Sequence, residues 1–328
     1  MMKLSTMKKV METVDNVWRS PLGEKILENW GYDEGSVFIL RASANFVFTF
    51  KKAGKSYFLR FNDACERDYE TIEAEINIVN FLGEQSLNVA KPVRSLNGKF
   101  IEVLVTELGT FYAVVFDALA GKHIEYEEIS DEQLFLWGKA LGKLHQTLKR
   151  MPKKYQVNRP NWREHLIQVQ ELLPSIDYAA TRELERISEW AEGLKVSKEN
   201  YGIIHYDFEL DNIVFENKKI SMLDFDDCSS YWYVADIVYA LRDDGDFSLK
   251  SANVQKFIEG YQRETNLDLE LLKDFSWFER LHKLVIFAKL IRAVDIEETE
   301  QHPDWLNKLR ARLCRTLDDC RRSFEKFD

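Results

Sequence analysis

Residues 203–227 read IIHYDFELDNIVFENKKISMLDFDD. Two short apolar runs, IVF at 213–215 and ISML at 220–223, flank a polar turn at 216–219, the pattern of a β-hairpin. Polar side chains suited to chemistry stand before the first run (His205, Asp207, Asn212) and after the second (Asp224, Asp226, Asp227). A hairpin brings its two ends together, so Asp207, Asn212 and Asp224 can converge on one point. Two carboxylates and an amide oxygen are hard ligands that suit Mg²⁺ held jointly with a nucleotide's phosphates.

On both sides of this segment the chain from about 130 onward reads as helical. In DEQLFLWGKALGKLHQTLK (131–149), Leu134, Trp137, Leu141, Leu144 and Leu148 form one stripe, with Ser130 or Asp131 placed to cap its start. Further helices are predicted at 162–172, 179–195, 249–264, 268–298 and 303–325. A stretch of short strands and loop inside a helical region is where chemistry is sought.

The N-terminal third has a different period. Two short helices, 5–18 and 22–30, precede alternating segments VFILR (37–41), NFVFTF (45–50) and SYFLRF (56–61), with a hairpin turn at 53–55. Phe46, Phe48 and Phe50 share a face; so do Tyr57, Leu59 and Phe61, which leaves Arg60 on the other side. A helix over 66–86 carries Ile72, Ile76, Val79 and Leu82, and KFIEVLVTEL (99–108) and TFYAVVFDAL (110–119) supply two more strands. The expectation is an α+β, two-lobed protein: an N-lobe over 1–117 with a five-stranded sheet and one long helix, and a mainly helical C-lobe over 118–328 that opens with a linker from Gly121 to Asp131.

The bulk properties agree with an enzyme of this kind. The 328 residues are 45% apolar and 30% charged, and exceed one ordinary core. A net charge of −10 disfavours nucleic acid as a partner and suits a cationic substrate, although many cytosolic enzymes are simply acidic. Four scattered cysteines (65, 228, 314, 320) suggest neither a zinc site nor a disulfide framework. The N-terminal segment lacks the apolar core of a secretory signal, and no apolar run is long enough to span a bilayer, so a cytoplasmic location is expected.

His205-x-Asp207-x-x-x-x-Asn212, followed twelve residues after the asparagine by Asp224-Phe225, resembles the catalytic loop and metal-binding aspartate of the protein-kinase-like fold, in its aminoglycoside phosphotransferase and choline kinase branch. That resemblance implies an ATP-dependent kinase using Mg²⁺. Asp207 would accept the proton of an acceptor hydroxyl, Asn212 and Asp224 would hold the metal, and His205 would brace the loop. Asp236 would hold the loop's backbone, although helix capping explains it equally. Asp226 and Asp227 would take a second metal or merely cap a turn. Much of that branch has glycine where this chain has Tyr206. The family's phosphate-holding cation maps to Arg60 and its helix partner to Glu75, with Glu73 in reserve. No G-x-G-x-x-G is present; Ala42–Asn45 would contact phosphate through Ser43 and Asn45, or is just a tight hairpin. Adenine would be read by the main chain of Asp117 and Leu119, with Phe116 behind it.

The acceptor is expected to be a small molecule, for which aminoglycosides, choline and homoserine are the family's examples. Arg292, Asp295 and Glu298, on the predicted 268–298 helix, would form an acceptor-binding face, while a solvated acidic helix face explains the run 295–300 as well. A kinase acting on protein Ser or Thr and a non-catalytic nucleotide-binding pseudokinase are the rival readings. His145 is read as a buried, hydrogen-bonded histidine rather than a ligand.

Overall fold

The computed structural model describes residues 1–174, 177–242 and 247–326. Strands β1 (Phe38–Ala42), β2 (Phe46–Lys52) and β3 (Lys55–Asp63) form an antiparallel meander. The β2–β3 turn places Ala53 and Gly54 at φ 50° and 76°, the geometry that keeps a two-residue hairpin in step with strand twist. Helix α3 (Tyr69–Glu84) follows, then β4 (Pro92–Val93), β5 (Glu102–Thr106) and β6 (Gly109–Asp117). The sheet order is β1-β2-β3-β6-β4, with β5 also paired to β6. It therefore has six strands rather than the five expected. β4 is only two residues long, too short for a period to register, and is pinned where the Trp30 indole donates to the Val93 carbonyl at 2.9 Å.

One sheet face is apolar for the reason the alternation gave. Phe46, Phe48, Phe50 and Phe61 are at most 1% exposed, and Phe61 stacks on Phe46 at 5.1 Å and meets Phe111 edge-on at 5.5 Å. Helices α1 (Leu4–Met11) and α2 (Pro21–Leu27) cover this face. α1 is shorter than the predicted 5–18, because the Asp15 carboxylate captures the amides of Val17 and Arg19 and turns the chain.

Beyond β6 the elements are α4 (Asp131–Leu148), α5 (Trp162–Leu172), α6 (Tyr178–Gly193), β7 (Tyr201–Ile204), β8 (Ile213–Glu216), β9 (Lys219–Met222), β10 (Ser229–Trp232), α7 (Tyr233–Ala240), α8 (Ala252–Tyr261), α9 (Leu269–Leu272), α10 (Phe275–Ala293) and α11 (Asp304–Glu325). A capping box between Ser130 and Gln133 starts α4, and all five members of its predicted stripe are buried. The predicted 268–298 helix is instead α9 and α10, ending at Ala293. Asp295 and Glu298 thus fall outside it. β10, which pairs with β7, lies in a stretch the sequence reading left unassigned.

Helices α4 and α8 approach closely through glycines. A Cβ on Gly138 would lie 1.9 Å from the Phe257 carbonyl oxygen, and one on Gly260 2.0 Å from that of Phe135. Gly260→Ala must push the helices apart, so a loss of about 2–3 kcal/mol, the upper range for an overpacked core, is expected. A denaturant titration checks it. An unchanged midpoint would mean that the helices separate freely.

Among the described residues no helix is long and apolar enough to cross a membrane, and all four cysteines are free thiols. The chain is α+β, with a β-rich N-terminal part and a helical C-terminal part.

Candidate active site

The hairpin brings its two ends together. β8 and β9 pair with Ile213 opposite Met222, and the Leu223 amide donates to the Asn212 carbonyl at 3.0 Å. Asn212 therefore lies beside the residue that leads into Asp224. A His205 ring nitrogen sits 3.1 Å from the Leu223 carbonyl, tying the loop that carries Asp207 to the same point.

Asp236 of α7 holds that loop from beneath. Its two oxygens accept the amides of His205 and Tyr206, each at 2.8 Å. This is the loop-holding role rather than helix capping: the N-cap of α7 is Trp232. His145 bridges Asp236 and the Tyr261 hydroxyl at 2.9 and 2.8 Å, and burial lowers its basicity. Tyr206 has φ 74°, in the left-handed region where glycine is at ease and other residues are strained. Asp236's grip on its amide helps to hold that conformation.

Asp207 keeps its side chain one-third exposed. One oxygen accepts from Asn212 Nδ2 at 2.9 Å and the other from Arg242 at 3.0 Å. Arg242 also reaches Glu209. Because the Asn212 amide nitrogen is spent on Asp207, its oxygen is the atom left for a cation. Arg242 was not foreseen; it follows α7, and no motif marks it.

From the sheet, Arg60 spans the gap between the two parts of the molecule. It contacts Glu75 of α3 at 2.5 Å and Asp224 at 3.3 Å. Burial works against its charge, but Glu75 and the nearby aspartates more than restore it, so the guanidinium stays protonated. Glu73, the reserve partner, is exposed. Arg41 of β1 contacts the other Asp224 oxygen at 3.2 Å. Asp224 has φ 62°. Burial, then the Asp226 charge, raise its pKa to about 8, against the pull of the two arginines. A buried carboxylate in that condition favours a proton or a cation beside it.

Asp226 and Asp227 are engaged within the protein. Arg67 contacts both, at 3.1 and 3.5 Å, and Lys289 reaches Asp227 at 3.5 Å. These cations keep both carboxyls low despite burial. Arg159 fixes the same loop through its main chain, donating to the carbonyls of Cys228 at 2.7 Å and Asp226 at 2.5 Å.

Several sequence expectations are corrected. The Asn45 side chain is buried and donates to Asp226 at 2.7 Å while accepting from Asn62, so any phosphate contact at this residue is left to its main chain. The Ser43 amide closes its own turn onto the Asn45 carbonyl. The Asp117 amide donates to the Lys91 carbonyl at 2.9 Å and its carboxylate pairs with Lys55, so that amide is already bonded within the protein. Leu119 lies just past β6. Arg292 pairs with Glu66 at 2.6 Å, Asp295 binds the amide and hydroxyl of Ser5, and Glu298 pairs with Arg310 at 3.6 Å. These three do not gather into an acceptor face: they lie at or beyond the end of α10, Asp295 anchors α1, and Arg292 holds Glu66, which accepts from the Lys3 amide and the Thr6 hydroxyl.

A cavity of about 630 Å³ lies elsewhere on the helical part, bordered by Tyr239, Arg242, Phe247, Phe275, Glu279 and His282. Arg242 belongs both to it and to the Asp207 contact. Among the described residues, no group of three or more His, Cys, Asp or Glu side chains is arranged to cage a metal. Asp224 and the Asn212 oxygen nevertheless fit Mg²⁺, which binds through one or two protein oxygens together with substrate phosphates.

Comparison with known proteins points the same way. The model of the phosphotransferase enzyme family matches residues 39–275. Amicoumacin kinase of Bacillus subtilis (strain 168) is 23% identical over 283 residues, which are 81% of this chain and 83% of that protein. Among solved structures, an amicoumacin kinase in complex with AMP-PNP, Ca²⁺ and Ami superimposes with a TM-score of 0.75 at 22% identity, over 95% of this chain and 96% of that one. A microcompartment-associated aminopropanol kinase gives 0.69 at 18% identity, over 91% and 94%. The fold is protein-kinase-like.

Proposed function

The chain belongs to the phosphotransferase enzyme family and is an ATP-dependent kinase; from that premise we propose that it transfers the γ-phosphoryl group to a hydroxyl of a small, polar, amine-bearing acceptor. The observation that carries this is the Arg60 bridge, which links Glu75 to the carboxylate of Asp224 at the end of the hairpin that also carries Asn212. The reading divides the chain into an N-lobe, 1–117, and a C-lobe, 118–328, although Leu4 of α1 packs into the helical core. A cytoplasmic setting belongs to the proposal and is supported by the free thiols.

Asp207 accepts the proton of the acceptor hydroxyl as that oxygen attacks phosphorus in line. Asn212 and Arg242 hold the two carboxylate oxygens in fixed directions, so the base is positioned before the acceptor arrives. Arg60, kept charged by Glu75, neutralises phosphate oxygens; Arg41, half exposed beside Asp224, can follow it. Asp224 and the Asn212 oxygen would hold a divalent cation together with ATP, which would offset the charge that develops on the transferring group. No covalent enzyme intermediate is needed.

The acceptor reading rests on the cavity reached through Arg242. It combines aromatic walls with both signs of charge, which suits an amine-bearing molecule with an apolar face better than a plain sugar. An amicoumacin kinase and an aminopropanol kinase among the similar proteins support the same class. Protein substrates fit poorly, because β10 starts two residues after Asp227 and leaves no length for an activation segment. ATP consumption by the purified protein over a panel of amino alcohols, amino sugars and aminoglycosides tests the proposal. Stimulation by at least one member is expected; consumption stimulated only by protein or peptide substrates would overturn it.

A further inference from the structure

Arg41 stands where simple alternation would not put it. Along β1, Ile39 lies opposite Phe48 of β2, and in step with that pair Arg41 would face Phe46, inside the buried apolar layer. Instead Arg41 lies opposite Val47, and Ala42 opposite Phe46, so Leu40 is an extra residue on the β1 side, a β-bulge. Val47 in turn lies opposite Arg60 of β3. Residues directly opposite one another in an antiparallel sheet share a face, so the bulge turns Arg41 from the phenylalanine layer to the face that carries Arg60. Its cost shows at Leu40, an apolar side chain left 62% exposed. Bulges beside active sites re-aim a side chain, and this one aims Arg41 at Asp224.

The two arginines meet that carboxylate differently. Arg60 contacts Oδ1 at 3.3 Å and is itself fixed, buried against Glu75 with its guanidinium 5.0 Å from the centre of the Phe116 ring. Arg41 contacts Oδ2 at 3.2 Å with its side chain 46% exposed, and among the described residues Asp224 is its one ion-pair partner. A divalent cation approaching Asp224 therefore meets a fixed guanidinium on one oxygen and a displaceable one on the other. A cation alone leaves the displaced guanidinium unpaired, whereas a cation that arrives with a nucleotide brings it phosphate oxygens. The turn that follows Arg41 is tied down. Its Ser43 carbonyl accepts from the Met2 amide at 3.0 Å, its Ala44 carbonyl from Asn62 at 3.3 Å, and its Asn45 side chain is held by Asp226. Charge on this side reaches the phosphates through a side chain rather than through closure of the turn.

Resting on the kinase reading and deepening it, we propose that Arg41 is a phosphate-binding residue that works by exchange: it releases Asp224 to the divalent cation and turns to the phosphate oxygens of the nucleotide that arrives with it. Arg41 thereby couples the two ligands, opposing the cation alone and favouring the cation with nucleotide.

Arg41→Met, which keeps the apolar stem and removes the charge, tests this without turnover. Mn²⁺, an oxygen-seeking stand-in for Mg²⁺, is titrated alone and followed by electron paramagnetic resonance. It should bind the variant roughly two- to fivefold more tightly than the wild type, the range for removing one half-exposed competing ion pair. Calorimetric binding of Mg²⁺-AMP-PNP should change in the opposite direction, weakening by about tenfold for one lost charge-assisted hydrogen bond. Adenosine, which carries no phosphate, should bind both proteins alike. A crystal structure of the wild type with Mg²⁺-AMP-PNP should show the Arg41 guanidinium on a phosphate oxygen and off Asp224. Mn²⁺ affinity unchanged or lowered in the variant, Mg²⁺-AMP-PNP affinity unchanged or raised, an equal loss for adenosine, or Arg41 still on Asp224 in the complex would each overturn the inference alone. No binding of Mg²⁺-AMP-PNP by the wild type would bring down the kinase reading and the inference with it, so the two failures are told apart.

Discussion

Replacing Asp207 by asparagine should lower turnover on the true acceptor by at least ~10²-fold, the range for losing a general base, while Mg²⁺-ATP affinity stays within about twofold of the wild type. Asparagine retains the shape and can still accept from Asn212, which now bonds Asp207 at 2.9 Å. It cannot take a proton from the attacking hydroxyl. Single-turnover kinetics, with nucleotide affinity measured separately by calorimetry, separates the two effects. Near-normal turnover in the variant would remove Asp207 from the role of base.

Asp224→Ala should abolish the magnesium-dependent part of the thermal shift that ATP produces. Burial raises the pKa of Asp224 to about 8 even though Arg60 and Arg41 contact its two oxygens, so this carboxylate still takes up a proton or a cation readily. Asp226 and Asp227 are already gripped by Arg67 and Lys289. The sign of the pH dependence follows. Below about 8 a proton competes with the cation for Asp224, and above it the free carboxylate is ready. In the wild type the magnesium-dependent shift should therefore grow as pH rises from 6 to 8.5, by up to about tenfold in affinity per unit on the acid side. In Asp224→Ala that pH dependence disappears. A shift that remains magnesium-dependent and pH-dependent in the variant would place the cation elsewhere.

Much of this site was legible because its parts are close in sequence and their spacing is constrained by a hairpin. The interval from Asp207 to Asn212 and the two runs that follow could be read from one line, and the structure brings Asn212 to the residue beside Asp224 as expected. Alternation on β3 put Arg60 on the face opposite the phenylalanines, and the family resemblance then paired it with Glu75. The structure joins these two directly. What failed was whatever depends on contacts between distant segments. Asp295 and Glu298 looked like neighbours on a helix, but α10 stops at Ala293, and Asp295 binds Ser5, 290 residues away. Asn45 looked like a phosphate-loop residue, yet its amide is drawn 181 positions along the chain to Asp226. Arg242 and Arg159 carry no local signature. Each is defined by the partner it reaches, Asp207 for the first and the backbone of the Asp226 loop for the second.

The central claim is that the γ-phosphoryl group of ATP ends on an acceptor hydroxyl through the site built around Asp207. Phosphorus NMR of a reaction containing ATP, Mg²⁺ and an acceptor from the panel measures this directly. The account predicts a new phosphate-monoester resonance that grows in step with ADP in the wild type and is lost, to within ~1% of that rate, in Asp207→Asn. ADP accumulating with inorganic phosphate alone for every acceptor, or a monoester formed equally fast by the variant, would contradict it.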